Sequence, residues 1–203
     1  MNSLEITIKW LESTEINKIT EDILINFGQQ NIPIDIEYIV EVKYKLLIVP
    51  IEDLPQKAYL TKDLEHIIVN KKFYNDSRLY DQYRFILAHE LGHYVLHKYV
   101  YEQVNYFSIE EYINFIKNFN EKQYGYFEWQ ANQFAGNILV PKNKLIDEYF
   151  KLYNNNPKLL QERKENPLMA YFDEKSELAK IFEVSDWVID RRLKDNPIEN
   201  FSF

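Results

Sequence analysis

The chain has 203 residues, of which 46% are hydrophobic and 28% are charged, so it can fold around a sizeable core as one domain. Its formal net charge of −8 disfavours non-specific binding to nucleic acid or to anionic membranes. The absence of cysteine excludes disulfides, thiolate ligands and cysteine nucleophiles, so any metal must be bound by histidine or carboxylate side chains.

Targeting signals are not evident in the sequence. Residues 1–10 lack a basic segment followed by an apolar stretch, and no run approaches about 18 apolar residues. We therefore expect a cytoplasmic protein without a signal peptide or a membrane-spanning helix.

The first third of the chain predicts two helices and a small sheet. Apolar residues at helical spacing predict a helix from about Leu11 to Phe27 that ends at Gly28. Asp35 is expected to cap a short second helix that reaches about Val42. We expect three extended stretches to follow and to form one sheet, the last two as a hairpin: Tyr44–Val49 ended by Pro50, Lys57–Leu60 and His66–Asn70.

The next helix carries the strongest functional signal. It runs from Leu79 to Leu96, is apolar on nearly every side, and is expected to take its cap from residues 75–77. It contains His89-Glu90-Leu91-Gly92-His93, an HExxH pattern. Residues four apart on a helix differ by about 40° around its axis, so both imidazoles can reach one metal ion. Glu90 lies on the same side, where it can take a proton from an attacking water molecule.

A third ligand is needed, because HExxH arises by chance roughly 0.01 times in a chain of this composition. A helix predicted from about Tyr126 to Leu139 supplies Glu128. Two histidines and one glutamate leave one coordination position for water, as in catalytic zinc sites. Asn132 lies one turn further along the same face and can accept a hydrogen bond from a ligand imidazole.

The remaining segments are predicted to be mostly helical. Residues 98–124, with a capping box at Ser108 and Glu111, are interpreted as an inserted amphipathic helix between the two metal helices. A helix is expected from about Leu145 to Tyr153, and the charged stretch Glu162–Pro167 is expected to be a loop.

The C-terminal segment resembles a helix-turn-helix at Ser176–Leu193, with Ser185 as the cap of the second helix. Between Asp173 and Asp195 there are seven acidic and five basic residues, a balance that opposes DNA binding, so packing or protein recognition is favoured. Glu183 occupies the turn position where glycine is usual. We divide the chain into a zincin-like domain at residues 1–153 and a C-terminal helical segment at residues 154–203.

The sequence contains two further histidines, His66 and His97. His97 continues the four-residue series but lies about 80° from His89 around the helix, which favours packing or hydrogen bonding over a direct role in the site. The longer zincin pattern would need glycine at position 96 and histidine at position 99, where Leu96 and Tyr99 stand. His66 is expected to be structural. The metal can supply part of the stabilisation of the oxyanion. A tyrosine or His97 can supply the rest, and 16 tyrosines leave that choice open.

Together these motifs resemble the ImmA/IrrE metallopeptidases, a branch of the zincins. The similarity is carried by Arg84-Phe85-x-x-Ala88-His89-Glu90-Leu91-Gly92-His93-Tyr94-x-Leu96-His97 and by Glu128-x-x-Ala131-Asn132-x-Phe134-Ala135-x-x-Ile138-Leu139-Val140-Pro141. It extends to residues 32–35, 68–70 and 178–185. Gln130 stands where many members carry an acid, and the 98–124 connection is longer than expected.

The resemblance implies an α+β zincin-like fold, in which a three-stranded sheet packs on the HExxH helix and on a second ligand-bearing helix. It also implies that His89, His93 and Glu128 bind the metal and that Glu90 is the base. The expected function is a zinc-dependent endopeptidase, although the ligands also permit Mn²⁺ or Fe²⁺.

The expected partner is a protein substrate, a helix-turn-helix transcriptional repressor, held as an extended strand beside Lys57–Leu60; neither nucleic acid nor membrane is expected. The alternative is a regulatory protein that binds its repressor without cutting it. The intact Glu90 argues against that alternative, because a structural metal site needs no base.

Overall fold

The computed structural model describes residues 6–197. The ends of the predicted 154–203 segment and of the N-terminal stretch 1–10 therefore lie outside the described residues. Within the described range the chain forms ten α-helices and three strands. They are α1 (Ser13–Asn26), α2 (Ile36–Tyr38), β1 (Leu47–Ile51), β2 (Ala58–Leu60), β3 (His66–Asn70), α3 (Lys71–Asn75), α4 (Tyr80–Tyr101), α5 (Ile109–Lys117), α6 (Glu121–Leu139), α7 (Lys142–Asn155), α8 (Pro157–Glu165), α9 (Pro167–Phe182) and α10 (Asp186–Asp195).

The sheet has the order β1-β3-β2, so β2 is an edge strand. β3 pairs in parallel with β1 and antiparallel with β2, which confirms the predicted hairpin. The first predicted strand is present, but both of its ends were wrong: Tyr44 ends a π-helical turn at Ile39–Lys43, and β1 continues through Pro50 to Ile51. Proline is tolerated there because β1 is the other edge strand and needs hydrogen-bond donors on one side only.

Helices α4 and α6 form the centre of the fold and lie in close contact at Gly92. A Cβ atom at this position would lie 3.1 Å from Phe134 Cβ and 3.2 Å from the Ala131 backbone. α4 extends beyond the predicted end at Leu96, although His97 departs from helical dihedral angles (φ −123°, ψ 15°). α6 begins earlier than Tyr126, because the Asn120 side chain accepts a hydrogen bond from the Gln123 N–H and caps it.

The expected loop at Glu162–Pro167 was wrong, since this stretch ends α8 and begins α9. Both helices start with the same local signal, an asparagine cap followed by proline in the first turn. α9 and α10 form the predicted helix-turn-helix-like pair, joined at Glu183 in the left-handed conformation (φ 50°). Ser185 stands at the cap position of α10, but its side chain makes no capping hydrogen bond.

A continuous apolar core joins the sheet, α4, α6 and the C-terminal helices, and includes residues such as Ile67, Leu87, Phe134, Phe182 and Ile189. This confirms an α+β fold in which a small sheet and two central helices are packed together. Among the described residues, none of the helices combines the length and apolar character needed to cross a bilayer.

Candidate metal centre

α4 and α6 bring His89, His93 and Glu128 together. The two Nε2 atoms of the histidines lie 3.0 Å apart. Each of these nitrogens lies 3.5 Å from a carboxylate oxygen of Glu128. Three potential ligand atoms from two helices therefore face one point.

The spacing of these atoms fits a tetrahedral metal. Two ligands about 2.05 Å from a tetrahedral Zn²⁺ lie about 3.3 Å from each other. The two imidazole nitrogens are 3.0 Å apart, and each lies 3.5 Å from one Glu128 oxygen, Oε2 for His89 and Oε1 for His93, so these distances lie on either side of that value. The residues present thus fit a divalent metal held by two imidazoles and one carboxylate.

The three side chains also influence one another electrostatically. Burial would raise the pKa of Glu128, but its hydrogen bonds to His89 and His93 outweigh this effect and lower that pKa. Burial lowers the pKa of His93 to about 4, so that this imidazole is neutral at pH 7. A neutral imidazole and an ionised carboxylate are the protonation states that bind a metal.

Glu90 lies beside these groups but is not one of the three converging residues. Only 6% of it is exposed, and its Oε2 atom has no hydrogen-bond partner. Burial raises the pKa of Glu90 to about 7, against the lowering effects of His89 and of a hydrogen bond from the Leu60 N–H. A buried, unpartnered carboxylate oxygen is costly unless a water molecule or substrate group reaches it.

Asn132 and His97 contact the Nδ1 atoms of His89 and His93, on the side of each ring opposite the converging Nε2 atoms. Asn132 Oδ1 lies 3.1 Å from His89 Nδ1, the nitrogen that faces away from His93 and Glu128. His97 is fully buried, and its Nδ1 lies 3.0 Å from His93 Nδ1. The structure therefore places His97 next to a candidate ligand but not among the converging ligand atoms.

A cleft of about 650 Å³ opens in front of the histidines. One wall is the edge of the sheet at residues 56–58, and a second contains Tyr112 of α5 and Tyr124 of α6. The third wall contains Phe85 and Trp187, whose rings meet edge to face at 5.8 Å. The inserted connection and the C-terminal helices thus both shape the cleft.

Sequence reasoning gave no role to Arg84, which is 98% buried. Its guanidinium group donates to the backbone oxygens of Ile34, Phe182 and Glu183 at 2.6 to 3.0 Å. It also forms an ion pair with the Glu183 side chain at 3.1 Å. Arg84 thereby fixes α4 to the α9–α10 turn. The sequence signal that could have indicated this role is a charged arginine on a helix predicted to be enclosed.

Gln130 was noted in the sequence only as a departure from the acid of related proteins. It is fully buried on α6, with its Oε1 atom 3.1 Å from His97 Nε2. Trp187 lines the cleft, although the sequence pattern of the C-terminal segment did not predict this. The remaining histidine, His66, lies on the hairpin 3.8 Å from Asp63.

Comparison with protein families gives a match that covers more than half of the chain. The family model described as Peptidase M78, IrrE N-terminal-like domain, matches residues 73–194. No curated protein matches the chain. The matched range runs across residues 153 and 154, where the sequence suggested a border between two units, and that division stays a prediction.

Proposed function

The chain belongs to the M78 peptidase family of IrrE N-terminal-like domains, which implies a metallopeptidase with a protein substrate, and we propose on this premise that it is a zinc-dependent endopeptidase acting on a transcriptional repressor. The observation that carries the proposal is the convergence of His89, His93 and Glu128 beside Glu90, whose Oε2 atom has no hydrogen-bond partner. When bound, Zn²⁺ would polarise the scissile carbonyl and acidify water.

We assign His89, His93 and Glu128 as the groups that hold the metal. Zinc suits two imidazoles and one carboxylate with an open fourth position. Mn²⁺ and Fe²⁺ accept the same ligands, so elemental content decides among them. Asn132 Oδ1 would accept the Nδ1–H proton of His89 and so leave its Nε2 lone pair free for the metal.

Glu90 is proposed to move the proton. Its pKa of about 7 places it close to neutral pH, where a side chain is best able both to accept and to return a proton. Its carboxylate would take the proton of the attacking water and deliver it to the amine that leaves. The hydrogen bond from the Leu60 N–H holds this carboxylate against the edge strand β2.

The edge of β2 offers a place for an extended substrate. Lys57 O accepts from the Asn70 N–H at 2.8 Å and the Thr61 N–H donates to His66 O at 2.9 Å, so these residues face β3. Because facing alternates along an antiparallel strand, the main-chain groups of Ala58 and Leu60 point to the other side. Those of Leu60 are engaged by Glu90 and by the Tyr106 hydroxyl, which donates to Leu60 O at 2.7 Å.

The main-chain N–H and C=O groups of Ala58 are therefore the ones available at this edge of β2 to pair with a substrate strand. Beside it, the Phe85–Trp187 pair provides an apolar surface that suits an apolar substrate side chain. Burial raises the pKa of Tyr112 and of Tyr124, so both hydroxyls are donors at pH 7. Tyr124 hydrogen-bonds with Glu128, which leaves Tyr112 as our choice for the oxyanion donor.

The test is to incubate the protein with a repressor encoded beside its gene and to look for a defined fragment. We expect a fragment with the wild type and with Glu121→Gln, an exposed glutamate on α6. We expect none with Glu90→Gln. Equal cleavage by wild type and Glu90→Gln would remove the role of Glu90. A stable complex without any fragment would favour a protein that binds its repressor without cutting it.

A further inference from the structure

A chain of hydrogen bonds leads from the back of His93 to the N-terminal segment. His93 Nδ1 lies 3.0 Å from His97 Nδ1, and His97 Nε2 lies 3.1 Å from Gln130 Oε1. Gln130 Nε2 donates to the main-chain oxygen of Lys9 at 2.9 Å. Four groups, separated by up to 121 residues in sequence, are thus linked in one line.

The direction of this chain is set at its Lys9 end. A backbone carbonyl can only accept, so the Gln130 amide must present its NH₂ group to Lys9 and its oxygen to His97. His97 Nε2 must then carry a proton and donate it to that oxygen. No other orientation satisfies both contacts of Gln130.

His97 carries a single ring proton. It is fully buried, its ring lies 4.5 Å from that of Phe127, and no carboxylate of the described residues lies within 4.0 Å of it. A doubly protonated imidazole in such surroundings would be a buried charge without a counter-ion. With its one proton on Nε2, His97 offers the bare Nδ1 to His93, which must donate from its own Nδ1.

We propose that the Lys9 carbonyl, acting through Gln130 and His97, holds His93 in the tautomer that presents its Nε2 lone pair to the metal. Gln130 and His97 are then positioning residues, and the proposal rests on the metal site described under the proposed function. It explains why an amide stands at position 130, because a carboxylate there could not donate to Lys9.

The N-terminal segment is held firmly enough to act in this way. The Lys9 N–H donates to the Tyr99 hydroxyl of α4 at 2.9 Å, and the Ile8 N–H donates to Gln123 Oε1 of α6 at 2.6 Å. The Trp10 ring stacks on that of Trp129 at 4.9 Å. A segment that precedes the family-matched residues 73–194 thus contacts both metal helices and sets the state of one ligand.

The backbone at His97 fits the same purpose. In a regular helix a residue four positions after His93 would stack one turn further along the same face. The departure of His97 from helical dihedral angles accompanies the approach of its Nδ1 atom to His93 and of its Nε2 atom to Gln130.

The first test compares zinc affinities by competition with a chromogenic chelator. Gln130→Met keeps the side-chain volume but removes the hydrogen bonds to His97 and Lys9. It should raise the zinc Kd by about 10- to 100-fold, the range observed when a hydrogen-bond partner of a metal ligand is lost. The control is Gln133→Met, a buried glutamine on the same helix that makes no contact with His97, and it should keep the wild-type Kd.

A double-mutant cycle separates a relay from two independent packing effects. Once His97→Phe removes the acceptor for His93, Gln130→Met should add no further loss of zinc affinity, because it has no remaining route to the ligand. Additive losses in the double variant would overturn the proposal, and so would a wild-type Kd in Gln130→Met.

The second test reads the tautomers directly, by long-range ¹H–¹⁵N correlation of the histidine rings in the zinc-loaded and zinc-free wild-type protein. We expect the proton of His97 on Nε2 in both states, and that of His93 on Nδ1 in the zinc-free protein. A proton on His97 Nδ1 would overturn the proposal. Failure of the wild type to bind zinc would count against the proposed function, while the tautomers of the zinc-free protein still test the relay.

Discussion

Replacing Gly92 by alanine tests how closely the two metal helices must approach. The added Cβ atom would lie 3.1 Å from Phe134 Cβ and 3.2 Å from the Cα and O atoms of Ala131. Two of these three neighbours are backbone atoms of α6, so a side-chain rotation cannot relieve the contact. α6 must therefore shift away from α4 by about 0.5 Å to restore ordinary contact distances near 3.6 Å.

Two opposing effects on folding follow from this substitution. Alanine is favoured over glycine within a helix by about 1 kcal/mol, while overpacking costs about 1–3 kcal/mol. The free energy of unfolding should therefore fall by about 0–2 kcal/mol. The effect on metal affinity should be larger than the effect on stability. Metal–ligand distances tolerate deviations of only about 0.2 Å, and Glu128 lies on the helix that moves. We expect the zinc Kd to rise by about tenfold or more.

The matched control is Gly125→Ala, a helical glycine of α6, whereas Gly92 lies in α4. A Cβ atom there meets no heavy atom within 4 Å. It should stabilise the protein by about 0.5–1 kcal/mol and leave the zinc Kd unchanged. Denaturant unfolding of the zinc-free proteins and chelator competition provide both numbers. Equal zinc affinity in Gly92→Ala and Gly125→Ala would refute the claim that helix spacing sets the site.

Three further outcomes are expected. Burial raises the pKa of Glu90 from 4.5 to about 7. Between these pH values the zinc-free folded protein still holds a proton that the unfolded chain has lost. The free energy of unfolding should therefore fall as pH rises from 4.5 to 7. Glu90→Gln should remove this fall, which amounts to about 3 kcal/mol. The prediction is contradicted if the free energies of unfolding of the wild type and of Glu90→Gln change in parallel from pH 4.5 to 8. Arg84→Met should lower the free energy of unfolding by about 3–5 kcal/mol, measured in urea, because it removes three hydrogen bonds from a buried charged donor to backbone carbonyls, together with an ion pair to the half-exposed Glu183 side chain. Trp187→Ala should raise KM for substrates with an apolar side chain in the cleft and leave Tm unchanged, since Trp187 is 55% exposed; an unchanged KM would remove this side chain from the substrate site.

Local sequence patterns predicted the helices of the candidate site and the faces on which its residues lie, because both depend on residues close in sequence. Helical spacing placed His89 and His93 on one face, and the same spacing in α6 put Glu128 and Asn132 together. Glu162–Pro167 is helical despite its charge, because its charged residues lie exposed or half-buried at the end of α8 and Asn166–Pro167 starts α9.

The parts that were not predicted depend on contacts distant in sequence. Gln130 meets Lys9 across 121 residues, and no periodicity within α6 indicates that partner. Arg84 reaches Phe182 and Glu183 across 98 and 99 residues. The first strand was misplaced for a different reason, since the apolar run from Tyr44 continues smoothly from a helical turn into β1, and only tertiary pairing with β3 marks where the strand begins.

The central claim is that His89, His93 and Glu128 hold one divalent metal ion. Elemental analysis of the purified protein beside His93→Ala and His66→Ala tests it most directly. We expect one zinc per chain in the wild type and in His66→Ala, whose histidine lies on the surface hairpin, and a loss of most zinc in His93→Ala. A wild type without stoichiometric metal, or a His93→Ala protein that retains it, would contradict the claim.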